Sequence, residues 1–71
     1  MEYWEVSYEN LPYLSAKLSM STRTLVNLLK EAETKQCACV FFKRDGEWKQ
    51  IFVHLTYSVE QILDHILDRV P

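Results

Sequence analysis

The sequence predicts an α+β domain, and three observations carry that reading. Leu25, Leu28, Leu29 and Ala32 recur at the i, i+3, i+4, i+7 spacing of an amphipathic helix. Asp45-Gly46, which holds the only glycine of the chain, lies between two β-rich runs and signals a tight hairpin. Ser58 and Gln61 form a capping box ahead of the apolar stripe Val59, Ile62, Leu63, Ile66, Leu67 and Val70. With a strand at the start and a short helix after it, the expected order is strand, helix, helix, hairpin, helix over one domain, residues 1–71.

At 71 residues the chain is near the size at which one core only just offsets conformational entropy, so most apolar positions are needed for packing. Hydrophobic residues make up 48% and charged residues 25%, a globular composition. The longest uncharged apolar run, residues 37–42, is too short to span a bilayer. The opening "MEYWEVSY" lacks the basic and apolar segments of a secretory leader. Cys37 and Cys39, one residue apart, would sit about 7 Å apart on a strand, at the limit for a disulfide. A reduced, cytoplasmic protein without membrane segments is therefore expected.

Residues 3–8 alternate, with Trp4, Val6 and Tyr8 on one face, and read as the first strand. Asn10 stands before Leu11-Pro12 as a side-chain cap and an early proline, and Leu11, Leu14 and Leu18 continue at helical spacing, so a two-turn helix is expected over Leu11–Leu18. The second helix spans residues 21–33 with Ser21 as its cap. A two-residue hairpin loop would set Val40 opposite Ile51 and Ala38 opposite Val53. One face then carries Ala38, Val40, Phe42, Ile51, Val53 and Leu55, the expected core. The other carries Cys37, Cys39, Phe41 and Lys43 against Trp48, Gln50, Phe52 and His54, an aromatic but mixed face that is either covered, an interface or partly exposed. A bulged turn would exchange these neighbours, and both registers are open at this level.

The formal charge of -2 is unevenly spread. Residues 1–10 hold Glu2, Glu5 and Glu9 and no cation, while residues 11–50 hold Lys17, Arg23, Lys30, Lys35, Lys43, Arg44 and Lys49 against four acids. Residues 51–71 return to acidic. A polyanion would be met by the middle of the chain.

Chemistry-bearing clusters are sparse. Cys37, Cys39 and His54 share a face in the first register, with His65 a remote fourth ligand, but Cys-x-Cys on a strand is not the usual zinc spacing and packed cysteines are the simpler reading. No turn, glycine-rich loop or carboxylate supports a Cys–His nucleophile, and His65 reads as part of a solvated helix face. Neither an enzyme, a metal site nor a cofactor is expected.

Leu14, Leu18, Met20, Ser21, Thr24, Leu25 and Leu28 fall where helix-turn-helix proteins place the apolar residues of the first helix, the apolar turn residue, the cap of the recognition helix and its inward side chains. With the hairpin as wing and the closing helix behind it, residues 10–70 resemble the small winged helix-turn-helix domains of phage and transposon excisionases. That resemblance implies a small DNA-binding regulator of double-stranded DNA. In physical terms, Ser21 and Thr22 at a helix N-terminus suit a phosphate, and Arg23, Asn27 and Lys30 lie off the apolar stripe, where Arg23 and Asn27 suit base edges. Lys43, Arg44 and Lys49 near the hairpin tip suit phosphates. Because one recognition helix selects few base pairs, a homodimer through Ile66 and Val70 of the closing helix is a further expectation.

The competing class is a protein-binding adaptor or inhibitor module, in which Leu14 to Leu18 form a second strand, the fold becomes a ββαββα domain of ubiquitin-like appearance, and the aromatics Phe41, Trp48 and Phe52 meet a protein partner. Residues 11–19 decide between the two, since helix favours the first and strand the second.

Overall fold

A three-stranded antiparallel sheet, in the order β1-β2-β3, divides the molecule into two helical layers. The computed structural model describes residues 2–69, with side chains described as far as His65. Strand β1 is Tyr3–Glu5, followed by a 3-10 turn at Tyr8–Asn10, helix α1 at Leu11–Leu18 and helix α2 at Thr22–Thr34. Strands β2, Cys37–Arg44, and β3, Glu47–His54, form the hairpin, and helix α3 is Val59–Arg69. The fold is α+β and compatible with a small winged-helix-like arrangement. Among the described residues no helix is long and apolar enough to cross a membrane.

The ubiquitin-like alternative fails at α1. Leu14 to Leu18 are helical, and Leu14 is fully buried from that helix, so the second strand expected there is a helix instead. The first strand is also shorter than its alternation suggests. Pairing runs from Tyr3 with Phe42 to Glu5 with Val40, and the Val6 N–H still reaches the Cys39 carbonyl at 2.9 Å. The chain then turns back toward the sheet, leaving Tyr8 exposed. Asn10 closes this reversal and does not cap α1: its side-chain oxygen accepts from the Ser7 N–H and its amide donates to the Glu5 carbonyl, both at 2.9 Å. Two backbone groups freed by the end of the strand are thus satisfied by one side chain.

Between α1 and α2 the turn is made by Ser19, which adopts the left-handed conformation (φ 54, ψ 43). The Ser19 and Met20 N–H groups both return to the Ser15 carbonyl, the latter at 3.1 Å, and Met20 packs on the core. This is a helix C-terminus closed in the manner usually given to glycine. Ser21 then caps α2 as expected, its hydroxyl oxygen accepting from the Thr24 N–H at 3.1 Å.

The hairpin has the two-residue loop. Asp45 and Gly46 both have positive φ, 52 and 79, as a mirror-image turn requires. The register pairs Val40 with Ile51 and Ala38 with Val53. Both faces of the sheet are core. Cys39 and Phe41 lie under α1 and α2 with Trp4 and Val6 of the N-terminal segment, against Leu14, Leu25, Leu29 and Ala32. Ala38, Val40, Phe42 and Val53 lie under Ile62 of α3. The face that looked mixed therefore carries the larger cluster. The face expected to be core stops short of its end: Leu55, beyond the end of β3, is 62% exposed, because the chain bends away there with the Tyr57 N–H bonded to the His54 carbonyl. The Ser58–Gln61 box caps α3 reciprocally, at 2.8 and 3.2 Å. Val59, at the start of the expected stripe, is nevertheless exposed, and among the described side chains of the stripe Ile62 is the buried one.

Replacing Ser19 by glycine removes the left-handed penalty of a residue with a Cβ, partly offset by extra freedom in the unfolded chain. A gain of about 0.5–1 kcal/mol is expected in urea unfolding; a loss would show that the serine side chain itself holds the turn.

Candidate nucleic-acid interface

Burial of Leu25, Leu29 and Ala32 against the sheet rolls the opposite side of α2 outward. Arg23, Asn27 and Lys30, at i, i+4 and i+7, lie on that outward side and are exposed, as are Ser21 and Thr22 at its start. The structure thus brings together the five residues expected on this helix. The Ser21 hydroxyl is occupied by the Thr24 N–H and lies 2.8 Å from the Thr24 hydroxyl, so it shapes the helix start. Farther along, the charge reverses: Glu31 pairs with Lys35 at 3.8 Å, and Glu33 accepts from the Tyr8 hydroxyl at 3.3 Å. The cations of this face, Arg23 in the first turn and Lys30 in the third, both precede the acidic end of the helix.

The hairpin cations are split by the pleat. Lys43 is on the side of α1 and α2, its ammonium 5.7 Å from the centre of the Trp48 ring. Arg44 and Lys49 flank Phe42 on the α3 side, with Arg44 Nε 4.0 Å from an Asp45 carboxylate oxygen. All three are near the tip, but on two faces of one ribbon. Of the expected dimer contacts, the Ile66 side chain and Val70 lie outside the described residues. Among the aromatics expected to meet a partner, Phe41 is buried beneath the helices, while Trp48 and Phe52 are half-buried at the margin.

A further cluster was not anticipated. The Lys17 ammonium bonds Glu2 at 2.9 Å and lies 5.9, 5.6 and 6.0 Å from the ring centres of Trp4, Tyr13 and Trp48. The Trp4 indole N–H donates to the same Glu2 carboxylate at 2.8 Å. Cation–π contact and ion pairing thereby tie the N-terminus, α1 and the hairpin at one point. The Trp4 hydrogen bond and then Lys17 hold the Glu2 carboxyl below its ordinary value, and the Glu2 bond raises Lys17. Tyr13 and Lys17 are four apart on a helix, the one local signal; Glu2, Trp4 and Trp48 arrive only through tertiary pairing.

The cysteines are free. Burial pushes the Cys39 thiol from 9.0 to about 12, with Glu31 adding to the shift, whereas Cys37 is partly accessible and its thiol points to the Lys35 carbonyl at 3.4 Å. His54 stands across from Cys37, but its Nδ1 is 2.8 Å from the Thr56 hydroxyl, and His65 on α3 meets Tyr57 edge-on. Among the described residues no three His, Cys, Asp or Glu side chains come together as a metal site would need.

The fold defines a small α+β domain in which α1 and α2, joined by a short turn, pack on a sheet that ends in a hairpin. No family model, curated protein or solved structure matches this chain.

Two measurements check this geometry. Because the folded-state pKa of Glu2 is depressed, its contribution to stability is present at neutral pH and is lost as pH falls below 4.5 and through the folded value. Wild type and Glu2→Gln should differ in Tm at pH 7 and converge in acid; a gap that persists there would assign the effect to packing. Alkylation of the native protein at pH 8 should modify Cys37 and spare Cys39 until unfolding, whereas equal rates would contradict the burial of Cys39.

Proposed function

We propose that the protein binds duplex DNA as a small cytoplasmic regulator, with α2 in the major groove and the hairpin tip on the phosphates. The observation that carries this reading is the stripe Arg23, Asn27 and Lys30, exposed on the outer side of a helix that begins at a tight, serine-capped turn. Such a helix start offers its free N–H groups to a phosphate, while Arg23 and Asn27 have the fork and amide geometries that read guanine and adenine edges. A hairpin tip with Lys43 on one face and Arg44 and Lys49 on the other suits a position between the two phosphate strands that border a groove. The acidic ends of the chain oppose binding, so the affinity is weak and strongly salt-dependent. The resemblance to excisionases is consistent with this role in a mobile element.

Gel-shift titrations against a varied DNA pool at several salt concentrations test the proposal. Arg23→Ala is expected to weaken the preferred sequence by about 1–3 kcal/mol and to relax specificity. Lys43→Ala should weaken all sequences about equally and lower the salt slope by about 1. Absence of any binding at low salt would end the DNA reading.

A further inference from the structure

Strand β3 ends the sheet, and among the described residues no strand pairs with its outer side. The hydrogen bonds on the far side of β2 establish which groups face outward. Cys39 accepts from Val6 and Lys43 donates to Glu2, so the odd residues of β2 turn to the N-terminal segment and its even residues turn to β3. Their partners Glu47, Lys49, Ile51 and Val53 are bonded inward, which leaves the N–H and C=O groups of Trp48, Gln50 and Phe52 pointing away from the sheet. Among the described residues these groups have no hydrogen-bond partner.

The two edges of the sheet are treated differently. At the first edge β1 is three residues long, preceded by Glu2 and ending in Glu5, which suits an edge that refuses partners. β3 is eight residues long, pairs continuously with β2 without a bulge, contains neither Pro nor Gly, and has uncharged Gln50 near its middle. It lacks the devices that blunt an edge, apart from Lys49 and Glu47, whose backbones face inward.

We propose that β3 is the pairing edge of a homodimer, in which two copies of β3 join antiparallel about a two-fold axis at Gln50 and extend the sheet across both protomers. The strand is self-complementary in that register. Trp48 meets the second copy's Phe52 twice on one face, while Lys49 meets Ile51 and Glu47 meets Val53 on the other, so no like charges face each other. Aromatic cross-strand pairs are among the favourable ones. The outward groups of Trp48, Gln50 and Phe52 supply the hydrogen-bonded pairs, each exchanging two N–H···O bonds. The neighbouring register, centred on Ile51, is poorer, because it would require the His54 carbonyl, which already accepts from Tyr57.

This dimer goes beyond the DNA reading and does not rest on it. The two β2 strands would lie three strand spacings apart, about 14 Å, so the α2 helices resting on them would be much closer than the roughly 34 Å between successive major-groove half-sites. Sheet pairing is therefore not a device for setting two recognition helices in one palindrome, and dimerisation and DNA binding stand or fall separately.

Sedimentation velocity from micromolar to submillimolar concentration tests the proposal without DNA. Two variants act at the axis. Gln50→Pro removes an outward N–H without touching the bonds to β2, and Gln50→Lys sets two ammonium groups together at the two-fold. The wild type should dimerise, and each variant should raise the dimer dissociation constant by about tenfold or more while retaining the wild-type circular dichroism. If the proline variant fails to fold, the lysine variant alone decides. A wild type that stays monomeric throughout, or a folded Gln50→Lys that dimerises as well as wild type, would overturn the proposal.

Discussion

The burial of β2 on both faces is the constraint on which the rest of the molecule depends. Residues 38–42 are all buried, and because strand side chains alternate, Cys39 and Phe41 need one apolar cover while Ala38, Val40 and Phe42 need another. In a chain this small, α1 and α2 supply the first cover and α3 the second. The hydrogen bonds of β2 impose a matching demand, met by β1 and Val6 on one edge and β3 on the other. Every element thus touches or flanks β2, and its position is explained by what it covers.

From that constraint follows the orientation of the helix carrying the candidate interface. Leu25, Leu29 and Ala32 must face Cys39 and Phe41, so Arg23, Asn27 and Lys30 face out. The start of α2 is located by the turn at Ser19, and that turn is located by α1. The Lys17 cluster secures α1 in turn, since Glu2 and Trp4 hold it to the β1 edge of the sheet and Trp48 to the β3 edge. Polar residues on the presented face are therefore held indirectly, by apolar contacts on the buried face and by a partly exposed ion pair whose strength depends on pH.

Much of this was legible where the determinants are local. The limits of α1, the Ser21 cap and the Ser58–Gln61 box each depend on residues within a few positions, whereas the hairpin register, open between two alternatives in the sequence, is decided by the two positive φ values of Asp45-Gly46. Asn10 was misjudged because an asparagine before a helix can cap it or close the preceding turn, and the end of β1 determines which. The double burial of β2 was present in the uncharged run of residues 37–42, the mark of a strand covered on both sides, yet Lys43 and Gln50 made one face look mixed. The division of the hairpin cations between two faces also follows from parity alone, Lys43 being out of step with Arg44 and in step with Trp48 across the ladder. The Lys17 cluster was not legible, since three of its members meet only after the sheet has paired.

Native-state hydrogen exchange, read residue by residue by NMR, tests the central place of β2 most directly. The amides of residues 38–42, bonded on both edges and covered on both faces, should be the slowest in the protein, with those of Leu25 and Leu29 in the same class, and should open only on global unfolding. Exchange of β2 as fast as that of the hairpin tip, or its release while α2 remains protected, would contradict a structure organised around this strand.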